Sequence, residues 1–168
     1  MSHHWAIAVG INHYQLLQPL HFAQQDAQSL CETLVSDAGF LPDCCLLLTD
    51  TSPEISGHST DPNRENLLFW FQSLREKLNS EDALWCFFSG YGFAIQGEDY
   101  LLPIDANPDK PAETGISARS LFDALKELPT DNILVLLDIN RAQSVANEKV
   151  GTQIADLSRE YGIPTILS

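Results

Sequence analysis

The chain has 168 residues, 44% of them hydrophobic and 19% charged, a composition for one folded domain that excludes a disordered chain. Nine Lys and Arg stand against 23 Asp and Glu, a formal net charge of −14, and no Lys or Arg precedes Arg64. A surface this acidic repels phosphate backbones, so nucleic acid is excluded as a partner class; a protein or basic peptide is the favoured company, and oligomeric state is not specified.

The amino terminus has no basic n-region followed by an apolar run, and no segment reaches the ~18 apolar residues of a membrane span. A cytoplasmic protein without a membrane partner is the expectation. Cys31, Cys44, Cys45 and Cys86 all fall in predicted helix or strand without CxxC spacing, and read as thiols of a reducing compartment.

In chain order, Trp5 to Ile11 is the first apolar run, closed by Asn12-His13. Gly10 inside it predicts a close backbone approach at its carboxyl end. Apolar residues at three- and four-residue steps predict a helix over 23–38, stopped by Gly39, with Asp26 in its first turn. Cys44 to Leu48 reads as a second strand, and 51–62 as a surface loop. A helix opens at Asp61-Pro62-Asn63, with Leu67, Leu68, Phe71, Leu74 and Leu78 as its apolar face.

Ala83-Leu-Trp-Cys-Phe-Phe88 is the most apolar strand, buried on both faces, and Ser89-Gly-Tyr-Gly92 reads as its polar tip. Residues 93–115 lack helical period and read as one long loop. Ser117 caps a third helix; 133–137 is a fourth strand tipped by Asp138-Ile139-Asn140-Arg141; a weak helix over 150–161 leads to a last strand over 162–167. Strands over 5–11, 44–49, 83–89, 132–138 and 163–167, alternating with helices, predict one mainly parallel sheet in the order 2-1-3-4-5, helices on both faces. The whole of 1–168 reads as a single domain. Its final strand leaves two readings: a piece of a longer chain, or an edge completed by a partner.

Several stretches together resemble the caspase/metacaspase (peptidase C14-type) superfamily, nearest its prokaryotic branch, the orthocaspases. They are Trp5-Ala-Ile-Ala-Val-Gly-Ile-Asn12, Phe22-Ala-Gln-Gln-Asp-Ala27, Leu47-Leu-Thr-Asp50, Asn63-Arg-Glu-Asn66, Ser89-Gly-Tyr-Gly92, Asp99-Tyr-Leu-Leu-Pro-Ile-Asp105 and Leu136-Leu-Asp-Ile-Asn140. The resemblance implies a caspase-like three-layer α-β-α sandwich, of the p20 type.

It also implies where chemistry would sit. In that family the central strand ends in Ser-Gly-His-Gly and the next in Asp-x-Cys, the His serving as base and the thiolate as nucleophile. The matching positions, 49 apart, hold Tyr91 and Asn140. A phenol titrating near ~10 is a poor base at neutral pH, and a carboxamide is no nucleophile. Losing either partner of such a unit removes most of the catalysis. The expectation is a pseudo-variant that is not an enzyme. By the same resemblance the oxyanion-hole backbone falls on Gly92 and Asn140, and Arg141-Ala142-Gln143 stand where metacaspases often have His-Ser-Gly.

The resemblance also implies a pocket for a basic (Arg or Lys) residue, whose positions are here Asp26, Ser89 and Asp138. Two carboxylates and a hydroxyl suit a guanidinium. Taken singly they also read as a helix-start acid, a turn serine and a strand-end cap. Arg141 could instead fill such a pocket from within. No cofactor or metal is expected. The resemblance raises Ca²⁺, for which Asp99, Asp105, Asp109 and Glu113 are candidate acids, but they lack EF-hand spacing and read first as a solvated loop. Cys86 should be buried and a poor substitute nucleophile.

The leading expectation is an inactive caspase-like module that binds or regulates. The alternatives are a hydrolase rebuilt around Ser89, Tyr91, His13 or His21, and a structural or oligomerisation domain of a larger protein.

Overall fold

The structure is a computed structural model and describes residues 2–141 and 149–168. Five parallel strands form the body of the sheet: β1 (His4–Gly10), β2 (Cys45–Thr49), β3 (Ala83–Ile95), β6 (Asn132–Arg141) and β7 (Thr165–Leu167), side by side as β2-β1-β3-β6-β7. These are the five expected strands in their expected order.

Two further strands were not legible. β3 does not stop at a polar tip but runs 13 residues, through Ser89–Gly92 to Ile95. Past the end of β1, its free edge is taken by antiparallel β4 (Glu98–Leu101), which pairs with short β5 (Ile116–Ser117). The turn between β3 and β4 is Gln96-Gly97, with φ of 54° and 78°. Two left-handed residues in a row are what a tight hairpin needs, so Ser-Gly-Tyr-Gly was the wrong place to end the strand. Residues 93–115 are therefore not one loop; they also hold a single turn of helix, α3 (Pro111–Thr114).

The helices are placed by local chemistry. α1 (Ala23–Ser36) ends before Gly39, whose φ is 78°. α2 (Arg64–Lys77) is capped by Asn63, whose Oδ1 accepts the Asn66 N–H at 2.8 Å. α4 (Ala118–Lys126) is capped by Ser117 in the same way, and α5 (Thr152–Tyr161) closes on Gly162. One correction concerns α2: Trp70, not Leu68, completes its buried face, and Leu68 is exposed. Similarly, Ala38 lies exposed beyond α1.

The sheet has two unequal faces. Ile7, Val9, Leu46, Leu48, Leu84, Cys86, Phe88 and Val135 join the major core with α2, α4 and α5. On the opposite face α1 presses on Ala6 and Ala8. Small residues are needed there because α1 comes very close. A Cβ on Gly10 would stand 2.2 Å from the Ala23 carbonyl oxygen, the close approach predicted for that glycine. Among the described residues no helix is long and apolar enough to cross a membrane.

Candidate functional site

The carboxyl ends of β1, β3 and β6 meet the segment between β1 and α1. β3 and β6 pair in register, so Ser89 faces Asp138 and, two residues on, Tyr91 faces Asn140. With a side-chain period of two, both rungs project from one face of the sheet. The residues that sequence reasoning singled out are thus brought together as two successive rungs.

The first rung is polar. Ser89 is buried, and its hydroxyl reaches Asp138 Oδ2 at 3.4 Å. Ser89, Asp138 and Asp26 line one cleft of about 450 Å³, with His21, Phe22 and Asn140 among its walls. Asp26 is exposed in the first turn of α1, and its N–H bonds the Phe22 carbonyl.

The second rung is built differently. Tyr91 is buried, and its hydroxyl donates to the Gln18 carbonyl at 3.0 Å. Its backbone N–H donates to the Tyr14 hydroxyl at 2.9 Å, and Tyr14 in turn donates to the Leu102 carbonyl at 2.9 Å. Burial pushes the Tyr14 phenol far above its ordinary value, so it stays protonated and keeps that donor. The phenol of Tyr91 therefore ties down the β1–α1 segment. A second cleft of about 870 Å³ opens beside it, lined by Tyr91, Asn140, Arg141, Asp109 and Gln18. Leu20 and Asn140 line both clefts.

Gly92 sits inside β3, opposite Leu101 on one side and Arg141 on the other; a Cβ there would meet Ile139 at 2.4 Å. Asn140 is exposed near the end of β6. Arg141 lines the second cleft and is not among the residues around Asp26 and Asp138. Ala142 and Gln143 lie outside the described residues.

Two residues that sequence reasoning passed over hold this end together. Asp50, at the end of β2, accepts the backbone N–H of His13 at 2.6 Å and of Asn12 at 3.1 Å, and bonds His13 Nδ1 at 2.8 Å. Tyr14 is the other. The signal for both lay in Asn12-His13-Tyr14 and Thr49-Asp50, polar groups at the ends of adjacent strands. His13 is thereby engaged with Asp50, whereas His21 lines the cleft of Ser89.

Three further candidates, Cys86, Asp99 and Asp105, are engaged elsewhere, whereas Asp109 lines the second cleft. Cys86 is buried and its thiol is pushed up to about 12 by that burial. The four cysteines are free thiols. Asp99 is buried and caps α5, accepting the N–H groups of Gly151 and Ile154 at 3.0 Å each. Asp105 accepts the Arg64 N–H at 3.0 Å. Among the described residues no group of three or more His, Cys, Asp or Glu is placed to hold a metal ion.

Residues 4–136 match the family model described as metacaspase, peptidase C14 domain. No curated protein matches the sequence. Among solved structures, protein GSU0716 from Geobacter sulfurreducens superposes with a TM-score of 0.60 at 13% identity. The alignment covers 96% of this chain and 60% of that one, and at such identity it speaks to the fold alone.

Proposed function

From the premise that the chain belongs to the metacaspase, peptidase C14 domain family, we propose that it is a non-proteolytic member whose cleft binds a basic side chain. The observation that carries this reading is the contrast between the two rungs. Ser89 and Asp138 share a cleft with Asp26, while the rung beyond them is Tyr91 and Asn140. The first set is chemistry for a cation: two carboxylates and a hydroxyl in a space of about 450 Å³. The second offers neither a thiolate nor an imidazole.

In this role Asp26 and Asp138 accept the guanidinium or ammonium N–H groups of a ligand, and Ser89 orients Asp138. Tyr91 holds the Gln18 carbonyl, which fixes the segment carrying His21 and Phe22 over the cleft. Asn140 neighbours the bound residue without attacking it. Asp99 and Asp105 accept backbone N–H groups, and this reading assigns Ca²⁺ no role.

The test has two arms. Fluorogenic Arg, Lys and Asp amides, with and without Ca²⁺, should be cleaved no faster than in buffer, and a peptidyl thiol electrophile should not label position 140. One peptide in Arg and norleucine versions should bind with the Arg form tighter, and Asp138→Asn should remove that preference. Turnover that vanishes in Ser89→Ala would replace this reading with a rebuilt hydrolase. Equal affinity for both peptides would remove the cleft from the argument.

A further inference from the structure

The two adjoining clefts differ in charge: the first holds two carboxylates, the second one carboxylate, Asp109, and one cation. The cleft at the first rung has Asp26 and Asp138; the one at the second rung has Arg141, the last residue of β6, exposed at its rim. Leu20 and Asn140 are the wall between them and line both. Asp138 and Arg141 are three strand steps apart, roughly 10 Å along β6, so Arg141 leaves the strand on the other face and borders the second cleft from the strand's end. The separation is comparable to the length of an arginine residue from guanidinium to α-carboxylate.

A second observation concerns the rim. Among the described residues seven large apolar side chains are exposed, and two of them, Leu16 (59% exposed) and Phe22 (70% exposed), lie on the segment that borders the clefts. Exposed apolar groups beside a charged cleft suit a peptide, whose other side chains need something to lie on.

We propose that the ligand ends at its basic residue: a peptide with a free carboxyl-terminal Arg or Lys, its side chain between Asp26 and Asp138 and its α-carboxylate at Arg141. This deepens the reading of the cleft given above and rests on it. Asn140 strengthens the fit, because its carboxamide N–H groups can donate to a carboxylate where a thiolate would repel one. On the protein Asp26, Asp138 and Asp109 stand against Arg141, so the ligand's cation meets the carboxylate pair and its anion meets Arg141. Away from Arg141 the chain's net negative charge would disfavour a terminal carboxylate.

Such ligands come from one class of reaction, endoproteolysis after a basic residue. Water adds its oxygen to the carbonyl carbon, the C–N bond breaks, and the amine leaves with the proton. The new carboxylate is the mark that separates the product from the uncut chain. The protein would then read cleavage events performed by another peptidase.

The experiment is fluorescence polarisation with one labelled peptide in three forms: Arg with a free carboxylate, Arg as the terminal amide, and norleucine with a free carboxylate. Wild type should bind the Arg acid about fivefold more tightly than the Arg amide, the range of a solvent-facing charge pair. Arg141→Ala should bring that ratio to about one, while Asp138→Asn weakens acid and amide alike. Asp109 lines the same cleft and competes for Arg141, so Asp109→Asn should widen the ratio. Equal binding of acid and amide in wild type, with Asp138 still required, overturns this inference and leaves the reading of the cleft intact. An acid preference that survives Arg141→Ala also overturns it. No preference for Arg over norleucine overturns both.

Discussion

The two ends of the sheet employ their acids in opposite ways. At the amino end Asp82, 1% exposed, accepts the His3 N–H at 2.7 Å and the Asn79 N–H at 2.9 Å, while its carbonyl accepts the Thr130 hydroxyl at 2.5 Å. At the carboxyl end Asp138 is half-buried, takes a 3.4 Å bond from Ser89, and lines a cleft with Asp26. One carboxylate is consumed by backbone donors and ties the start of β1 to the turn before β3, while the backbone carbonyl of the same residue holds the approach to β6. The others face space into which a ligand can come. The difference separates an acid saturated by backbone donors from acids left facing a cleft, although both kinds sit at element ends.

The sharpest way to break this comparison is to remove each acid in turn. Asp82→Ala leaves two N–H groups without their acceptor and should cost about 3 kcal/mol, read as a lower urea midpoint. Asp138→Ala should stay within about 0.5 kcal/mol of wild type in the same titration while losing the Arg-peptide preference. A large stability loss in Asp138→Ala would move it into the structural class.

The carboxyl end has its own structural dependence, on close contact rather than on a buried acid. Gly90 lies between the two rungs, and a Cβ there would stand 2.4 Å from the Tyr14 hydroxyl and 2.9 Å from Phe88. Gly90→Ala should therefore cost about 2 kcal/mol through overpacking, visible in the same unfolding curves. Tyr91→Phe is milder. It gives up the bond to the Gln18 carbonyl, about 1 kcal/mol, and should raise amide exchange between β1 and α1 where a purely local loss would not.

How much of this the sequence disclosed depended on the range of the interaction. The five parallel strands were legible because runs such as Ala83–Phe88 and Ile133–Leu137 are apolar on both faces. The Ser117 cap was legible because its partner lies three residues away, and the start of α2 was narrowed to Asp61 or Asn63, of which Asn63 is the cap. The extension of β3 was not, since Ser-Gly-Tyr-Gly carries a turn signal that pairing on both edges overrides, while the true turn at Gln96-Gly97 looked ordinary. The grouping of Asp26, Ser89 and Asp138 came from the resemblance and not from any spacing. Asp50 and Tyr14 act across 37 and 77 residues, on His13 and Tyr91, and no local pattern announces such contacts.

The smallest effect is the most diagnostic, because it has two signs. Asp82 is buried, which alone would raise its carboxyl, but the Asn79 and His3 N–H groups and the charge of His3 outweigh burial and hold it below the usual range. A depressed folded value means the contribution is complete above the unfolded value, ~3.9. It is lost as pH falls through the folded value. Asp61, in the loop before α2, goes the other way. Burial raises it first, the bond from Asn63 opposes that, and the charges of Asp50 and Asp105 add to the rise. The native state therefore takes up that proton more readily than the unfolded chain, and acidification through that window stabilises it. The two carboxylates partly cancel in the wild type. Urea midpoints followed from neutral pH into the acid range should fall less steeply in Asp82→Asn and more steeply in Asp61→Asn. Parallel curves for both variants would mean that neither environment differs from water, and the structural role given to Asp82 would fail with them.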